Sequence, residues 1–252
     1  MNLTPFSSAF QKSWLPSLAV VLLCACSIAP DRVATVAAAS AWGDDFADLR
    51  NAGEGRALLQ IDAAASVLNV HVFRAGRAAK LGHNHVLNAP KLKGFVSLPA
   101  GDLDLASAGF ELALRLDELQ LDAPEARAAL GAGWASTLSP EMIAATRANM
   151  LGEKGLQADA YPLLRLRSLA LKGAYPKLAA LVEVELHGRR QQQWLALHAS
   201  LEGGSLRARG AMVLRQSDYG LTPFSVAGGL LAVQDELLIE FDLLAKPQQS
   251  GR

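Results

Sequence analysis

From Leu58 onward the apolar residues of this chain fall on every second position, and that period of two constrains it to extended structure. The clearest run is residues 107–117, where Phe110, Leu112, Leu114 and Leu116 share one face and Glu111, Arg115 and Asp117 share the other. Successive side chains of a strand point to opposite sides, so one face is dry and one is wet. Leu119 and Leu121 resume the pattern one residue out of phase, which predicts a bulge or turn near Glu118. The alternation returns with Val182, Val184 and Leu186, with Leu195, Leu197 and Leu201, with Leu206, Met212 and Leu214, and with Leu237, Ile239, Phe241 and Leu243.

No regular exchange of strands with helices appears, so an antiparallel barrel or sandwich is expected rather than a parallel sheet. Two helical interruptions are legible. Ser139 suits an N-cap, Pro140 the first helical position and Glu141 the first turn of a helix running to about Leu151. This helix is expected across one end of the barrel. A shorter helical turn is expected over residues 124–130, where good helix formers follow Pro124.

A chain of 252 residues with 51% hydrophobic content can form one large all-β domain with a sizeable core. Its 24 basic and 24 acidic residues balance, and only 6% of residues are aromatic. Neither a broad electrostatic field nor a stacking platform is available, which argues against nucleic acid as a partner.

The first thirty residues read as an address. Lys12 precedes the apolar run LAVVLLCA, too short for an ordinary membrane span and suited to a secretory signal. Leu23-Cys24-Ala25-Cys26 then resembles a bacterial lipobox, with Cys26 the residue that would be lipidated and become the mature N-terminus. Ser27 lacks the acidic character that favours inner-membrane retention, so an outer-membrane lipoprotein of the periplasm is expected. Ordinary cleavage at Ala37-Ala38-Ala39 or Ala39-Ser40-Ala41 is the alternative and would give a soluble periplasmic or secreted protein. Both cysteines lie in this segment, so no disulfide is expected in the mature domain. The expected division is a signal over residues 1–26, an Ala-rich flexible tether over 27–56, the barrel over 57–246 and a disordered tail over 247–252.

Residues 210–245, GAMVLRQSDYGLTPFSVAGGLLAVQDELLIEFDLLA, comprise two alternating segments joined by an RQSDYGL turn and a VQDE step. They closely resemble the last hairpin of the YceI-like, polyisoprenoid-binding family. QIDAAASVLNVHVFR, KLGHNHVL and KLKGF within residues 60–95, and ADAYPLLRLRS in mid-chain, agree in place. The chain is similar to a divergent branch, because an HGVTKP-like segment appears as His187-Gly188-Arg189-Arg190-Gln191 and an HLGVS-like stretch is replaced by LGHNH. The resemblance implies an all-β, antiparallel lipocalin-like barrel with a short helical insertion. It further implies a non-catalytic protein that carries an isoprenoid or other amphiphilic lipid and needs no other cofactor.

A barrel of about eight strands encloses a space that side chains fill or that holds one slender guest. Leu112, Leu114, Met212, Leu214 and Phe241 are the expected lumen-facing, ligand-contacting residues. A solid, fully packed barrel would produce the same alternation.

The sharpest polar motif is Leu81-Gly82-His83-Asn84-His85-Val86. With Asn84 on a strand, His83 and His85 would share a face and could contact a polar headgroup or, in the alternative reading of a metal- or haem-associated redox or stress protein, act as ligands, His71 approaching from the preceding strand. A structural turn is the competing reading, since no third ligand is adjacent in sequence. His187 and His198 read as exposed strand histidines. Arg74, Arg77 and Lys80 could greet an anionic headgroup, or form a solvated turn.

Ser217-Asp218-Tyr219-Gly220 lacks a G-x-S-x-G elbow and fits a turn, and Gly203-Gly204 and Gly228-Gly229 lack the residues of a phosphate loop. Gly82 and Gly94 read as positions requiring a permissive backbone. The address makes one prediction. Intact mass of the membrane-extracted protein should correspond to a chain beginning at an acylated Cys26, and an unacylated mass beginning at Ser40 or Trp42 would overturn it.

Overall fold

Period-two patterning becomes strand wherever one side of the chain can be buried. In the computed structural model, which describes residues 46–50, 55–99 and 105–248, it does so twelve times. Helix α1 (Ala47–Arg50) precedes β1 (Arg56–Ile61), β2 (Val67–Ala75), β3 (His85–Asn88), β4 (Lys93–Pro99), β5 (Gly109–Arg115) and β6 (Gln120–Leu121). Helices α2 (Pro124–Ala129) and α3 (Pro140–Leu151) follow, then β7 (Leu163–Ala174), β8 (Lys177–Leu186), β9 (Arg189–Glu202), β10 (Ser205–Arg215), β11 (Ser225–Val226) and β12 (Leu231–Pro247). The signal segment, Cys26 and the alternative cleavage sites lie outside the described residues.

The strands pair antiparallel in the order β1-β4-β5-β7-β8-β9-β10-β12, and β12 closes onto β1 through Leu59 opposite Pro247 and Ile61 opposite Ala245. This is the expected antiparallel, lipocalin-like closed barrel. Its paired strands begin one residue before and end one residue after the anticipated 57–246 span.

The same edge of β12 that meets β1 also meets β2, from Asp242 opposite Val67 to Ala232 opposite Ala75. A short 3₁₀ turn, Ala63–Ala65, separates the two partners. Asp62 caps that turn by accepting from the Ala64 and Ala65 amides, and Ser66 Oγ accepts from the Leu244 amide at 2.9 Å. Beyond β2 the sheet continues through β3 to β6, forming a flap outside the closed ring.

The sequence irregularities have structural counterparts. The phase change near Glu118 is a 3₁₀ turn, Leu116–Glu118, and the VQDE step is a register shift between Val233 and Leu237 against β2. Ser139 caps α3 by accepting from the Met142 amide at 3.3 Å. Arg147 holds α3 against the 116–119 turn by donating to the carbonyls of Leu119, at 2.6 Å, and Asp117. Ile143, Met150 and Leu151 pack partly buried against the core. Residues 46–50 correct part of the tether reading. Phe46 stacks edge-on against Phe95 at 5.3 Å, so α1 rests on the barrel wall although the segment has no apolar periodicity.

On β8, Ala180, Val182, Val184 and Leu186 form a fully buried inward row. Two glycines are set by space. Gly94 faces Leu112, and a Cβ there would lie 2.5 Å from Leu112 Cδ2 and 2.7 Å from the Glu111 carbonyl. Gly82, by contrast, has φ −94° and ordinary clearance, so it is not a position that demands glycine. Gly210 lies opposite Phe241, whose ring occupies the place of the missing side chain, and a Cβ would sit 2.6 Å from that ring and from the Ala196 carbonyl. Aromatic cover of a strand glycine keeps the ladder dry at no cost in side-chain volume. Gly210→Ala should therefore displace Phe241 and destabilise the barrel by about 1–3 kcal/mol, measured as a lower denaturant midpoint with unchanged slope.

Candidate functional site: an apolar lumen beside a buried polar latch

The inward rows of the barrel do not meet in the middle. They leave a cavity of about 120 Å³ whose lining contains only Ala, Val, Leu, Ile, Met and Phe residues. Leu112, Leu114, Met212, Leu214 and Phe241 all line it, as their alternation implied. Leu68, Val70, Leu98 and Leu171, among others, line it too. Leu68 and Val70 were legible in principle from the parity of β2, but Asn69 and His71 between them obscure which face is inward. At the periphery, Gln193 Nε2 lies 4.0 Å from the Met212 sulfur. The space matches a benzene-sized group, for which an engineered pocket of roughly 150 Å³ suffices. A longer chain would require the surrounding leucines and the flexible Met212 to change rotamer.

His83 and His85 occupy different environments. Asn84 is not on a strand: its Oδ1 accepts from the Arg74 amide at 3.0 Å, and β3 begins only at His85. The strand geometry presumed for a two-histidine site is therefore absent between them, and the two rings take different partners. His85 Nδ1 donates to Asp122 Oδ2 at 2.6 Å, whereas His83 Nδ1 pairs with Ser136 Oγ at 3.1 Å. His71 is buried in β2, where Nε2 meets Glu240 Oε2 at 2.8 Å and the ring packs edge-on against Trp134. Among the described residues no group of three or more His, Cys, Asp or Glu is placed to hold a metal ion.

The centre of this region is Asp122, fully buried and at φ 55°, a left-handed conformation that Asp tolerates better than most residues. Its carboxylate accepts from His85, from the Val86 amide at 3.1 Å and from Arg127 Nη1 at 2.7 Å. Arg127 also donates to the carbonyls of Asn84, Trp134 and Ser136, tying α2 and the following loop to β3. Burial alone pushes the Asp122 carboxyl up, but hydrogen bonding and charge from His85, with help from the Val86 amide and Arg127, hold it below the usual carboxylate range. Burial pushes the His83 imidazole down, and repulsion from His85, Arg127 and Arg74 adds to this. The arrangement is a polar latch. Sequence reasoning missed it because Asp122 and Arg127 lie far along the chain from His85, and only the β3–β6 pairing joins them.

The remaining motifs are structural. His187 is not an exposed strand residue: it occupies the β8–β9 turn at φ 52° and stacks on Tyr161 at 4.5 Å. His198 is exposed on β9 as expected. Ser217 Oγ donates to Asp235 at 2.5 Å within the 3₁₀ turn Gln216–Tyr219, and burial with the nearby Asp218 pushes the Tyr219 hydroxyl up. Arg74 and Arg77 donate to the carbonyls of Gly82 and Gly228.

The closed barrel has counterparts among solved structures. Burkholderia cenocepacia BcnA superposes with a TM-score of 0.54 at 15% identity, covering 74% of this chain and 99% of its own. A polyisoprenoid-binding domain from Saccharophagus degradans, implicated in plant cell wall breakdown, gives 0.48 at 12%, covering 76% and 99%. The YceI protein of Campylobacter jejuni gives 0.46 at 9%, covering 65% and 85%. No protein-family model and no curated protein sequence matches the chain. The neighbours are the YceI-like and polyisoprenoid-binding proteins that the sequence resemblance pointed to, and at these identities the likeness to BcnA establishes a shared fold.

Removing one partner of the latch leaves the other charge buried. Asp122→Ala should destabilise the protein by about 3–5 kcal/mol. In the parent, a carboxyl depressed on folding contributes stability above its unfolded value near 3.8 that is lost as pH falls through the lower folded value. Acid titration followed by Trp134-sensitive fluorescence should show loosening of the flap below about pH 4 in the parent. The Asp122→Ala protein should lack that transition.

Proposed function

We propose that this protein is a non-catalytic carrier that sequesters an isoprenoid or a similarly slender amphiphile in the barrel lumen. The observation that carries the reading is the cavity wall, which runs through all eight barrel strands without a charged or hydrogen-bonding side chain. A surface that offers no titratable group supports no acid–base or nucleophilic chemistry. It does reward hydrocarbon, at about 0.8 kcal/mol for each methylene-sized group removed from water. The isoprenoid class comes from the sequence resemblance of residues 210–245. Export, with Cys26 lipidated so that the carrier is tethered at the outer membrane, is the location consistent with the LCAC context.

Solvent extraction of the purified native protein followed by mass spectrometry should recover an apolar chain. Leu114→Phe and Leu214→Phe add volume to two cavity-lining positions at a folding cost of roughly 1–3 kcal/mol each. Both should remain folded and bind the recovered compound at least tenfold more weakly. Full affinity in both folded variants would remove the lumen as the site. Failure to recover any apolar compound, together with exclusion of hydrophobic fluorescent probes, would remove the carrier reading.

A further inference from the structure

At the end of the flap remote from β1, the turn between β11 and β12 meets the loop between β2 and β3. The Arg77 amide donates to the Gly229 carbonyl at 3.3 Å and the Ala78 amide to the Leu230 carbonyl at 2.9 Å, while Arg77 Nη2 reaches the Gly228 carbonyl. The two loops therefore form one tip. It carries large apolar side chains that face solvent: Leu81 is 75% exposed, Phe224 46%, Val226 40% and Leu230 39%. Phe224 and Val226 are two residues apart on the edge of the sheet and share a face, since the Val233 amide bonds to the Phe224 carbonyl and Val226 pairs with Leu231. Single exposed apolar residues are ordinary on a protein surface, but two on mutually bonded loops, Leu81 and Leu230, with Phe224 and Val226 on the adjoining β11 edge, are not.

The charge carried by the two segments that build this tip has one sign. Arg77 and Lys80 are exposed beside Leu81, and Arg74 stands at its base. Residues 63–101 contain no Asp or Glu, and residues 219–234 contain no charged residue. Asp235 and Glu236, the nearest carboxylates along β12, face Arg215. Apolar side chains projecting among cations fit a surface that is negatively charged outside and hydrocarbon within, which is an anionic lipid bilayer.

We propose that this tip is a membrane-docking surface, with Leu81, Phe224, Val226 and Leu230 entering the interface and Arg77 and Lys80 meeting anionic headgroups. Docking is independent of the lumen, which the tip residues do not line. The experiment is sedimentation of the protein, prepared without an acyl anchor, with vesicles of phosphatidylcholine containing phosphatidylglycerol and with vesicles of phosphatidylcholine alone. Binding should favour the anionic vesicles and weaken with added salt. Leu81→Ser combined with Leu230→Ser should abolish it. Arg77→Gln combined with Lys80→Gln should weaken it roughly thirtyfold, the effect of two cations near such a surface.

Leu214→Phe should dock as the parent does, which separates this surface from the lumen. Leu81→Trp supplies a direct reading, because its emission should shift to the blue and be quenched by brominated lipid. Unchanged sedimentation of the folded double variants, or a Leu81→Trp emission insensitive to anionic vesicles, would overturn the proposal. So would a concentration-dependent dimer in solution that the same substitutions abolish, since the tip would then be a contact between copies of this chain.

Discussion

The hydrogen-bonded seam between β12 and its two partners on one edge holds the rest together. A sheet of this length leaves unpaired amides and carbonyls at both ends unless it closes, and closure removes the edges of the ring, leaving β6 and β11 at the margins. Here the closing pairs lie between β1 and the last three residues of β12, while the preceding stretch of the same edge takes β2. One 17-residue strand thus completes the ring and bears the flap. The turn capped by Asp62 makes the division possible, because it satisfies the amides that would be orphaned where one partner ends and the next begins.

Closure also sets the two chemical environments. Inside the ring each strand contributes its apolar row, and the space that remains is dry. On the flap the sheet has a second layer of loop and helix, and the charged groups buried there, Asp122 and Arg127, are paired with each other. The latch and the lumen are distinct sites joined by β2, whose Leu68 and Val70 line the cavity while His71 packs against Trp134. Their responses to acid and to hydrophobic compounds are correspondingly different in kind.

Much of this was legible in the chain itself. The alternation of Phe110, Leu112 and Leu114 identified an inward row. The shift at Leu119 identified a turn, and Ser139-Pro140-Glu141 located the start of α3 to the residue, because each of those signals is local. His83 and His85 misled for the same reason. Their spacing suggests a common face only on a strand, and Asn84 instead spends its side chain bonding to Arg74 and Gly133. Asp122 carried no signal of its own. Its importance comes from a left-handed backbone and from partners brought by pairing across the flap. Phe46 was read as part of a linker because one aromatic residue has no period, yet a neighbour at Phe95 is enough to seat it.

The wall of the lumen bears on selectivity in a particular way. With no donor or acceptor on the wall, nothing there distinguishes an alcohol from a ketone or a phosphate at the far end of a guest. What such a wall could measure is girth and stiffness: any tail longer than a benzene-sized group needs the lining side chains to change rotamer, and a branched or rigid tail needs more of that movement than a thin, supple one. Phe241, seated over Gly210, is a lining ring whose swing would change the width of the lumen, so in the proposed carrier it is one element that would set which tails are admitted.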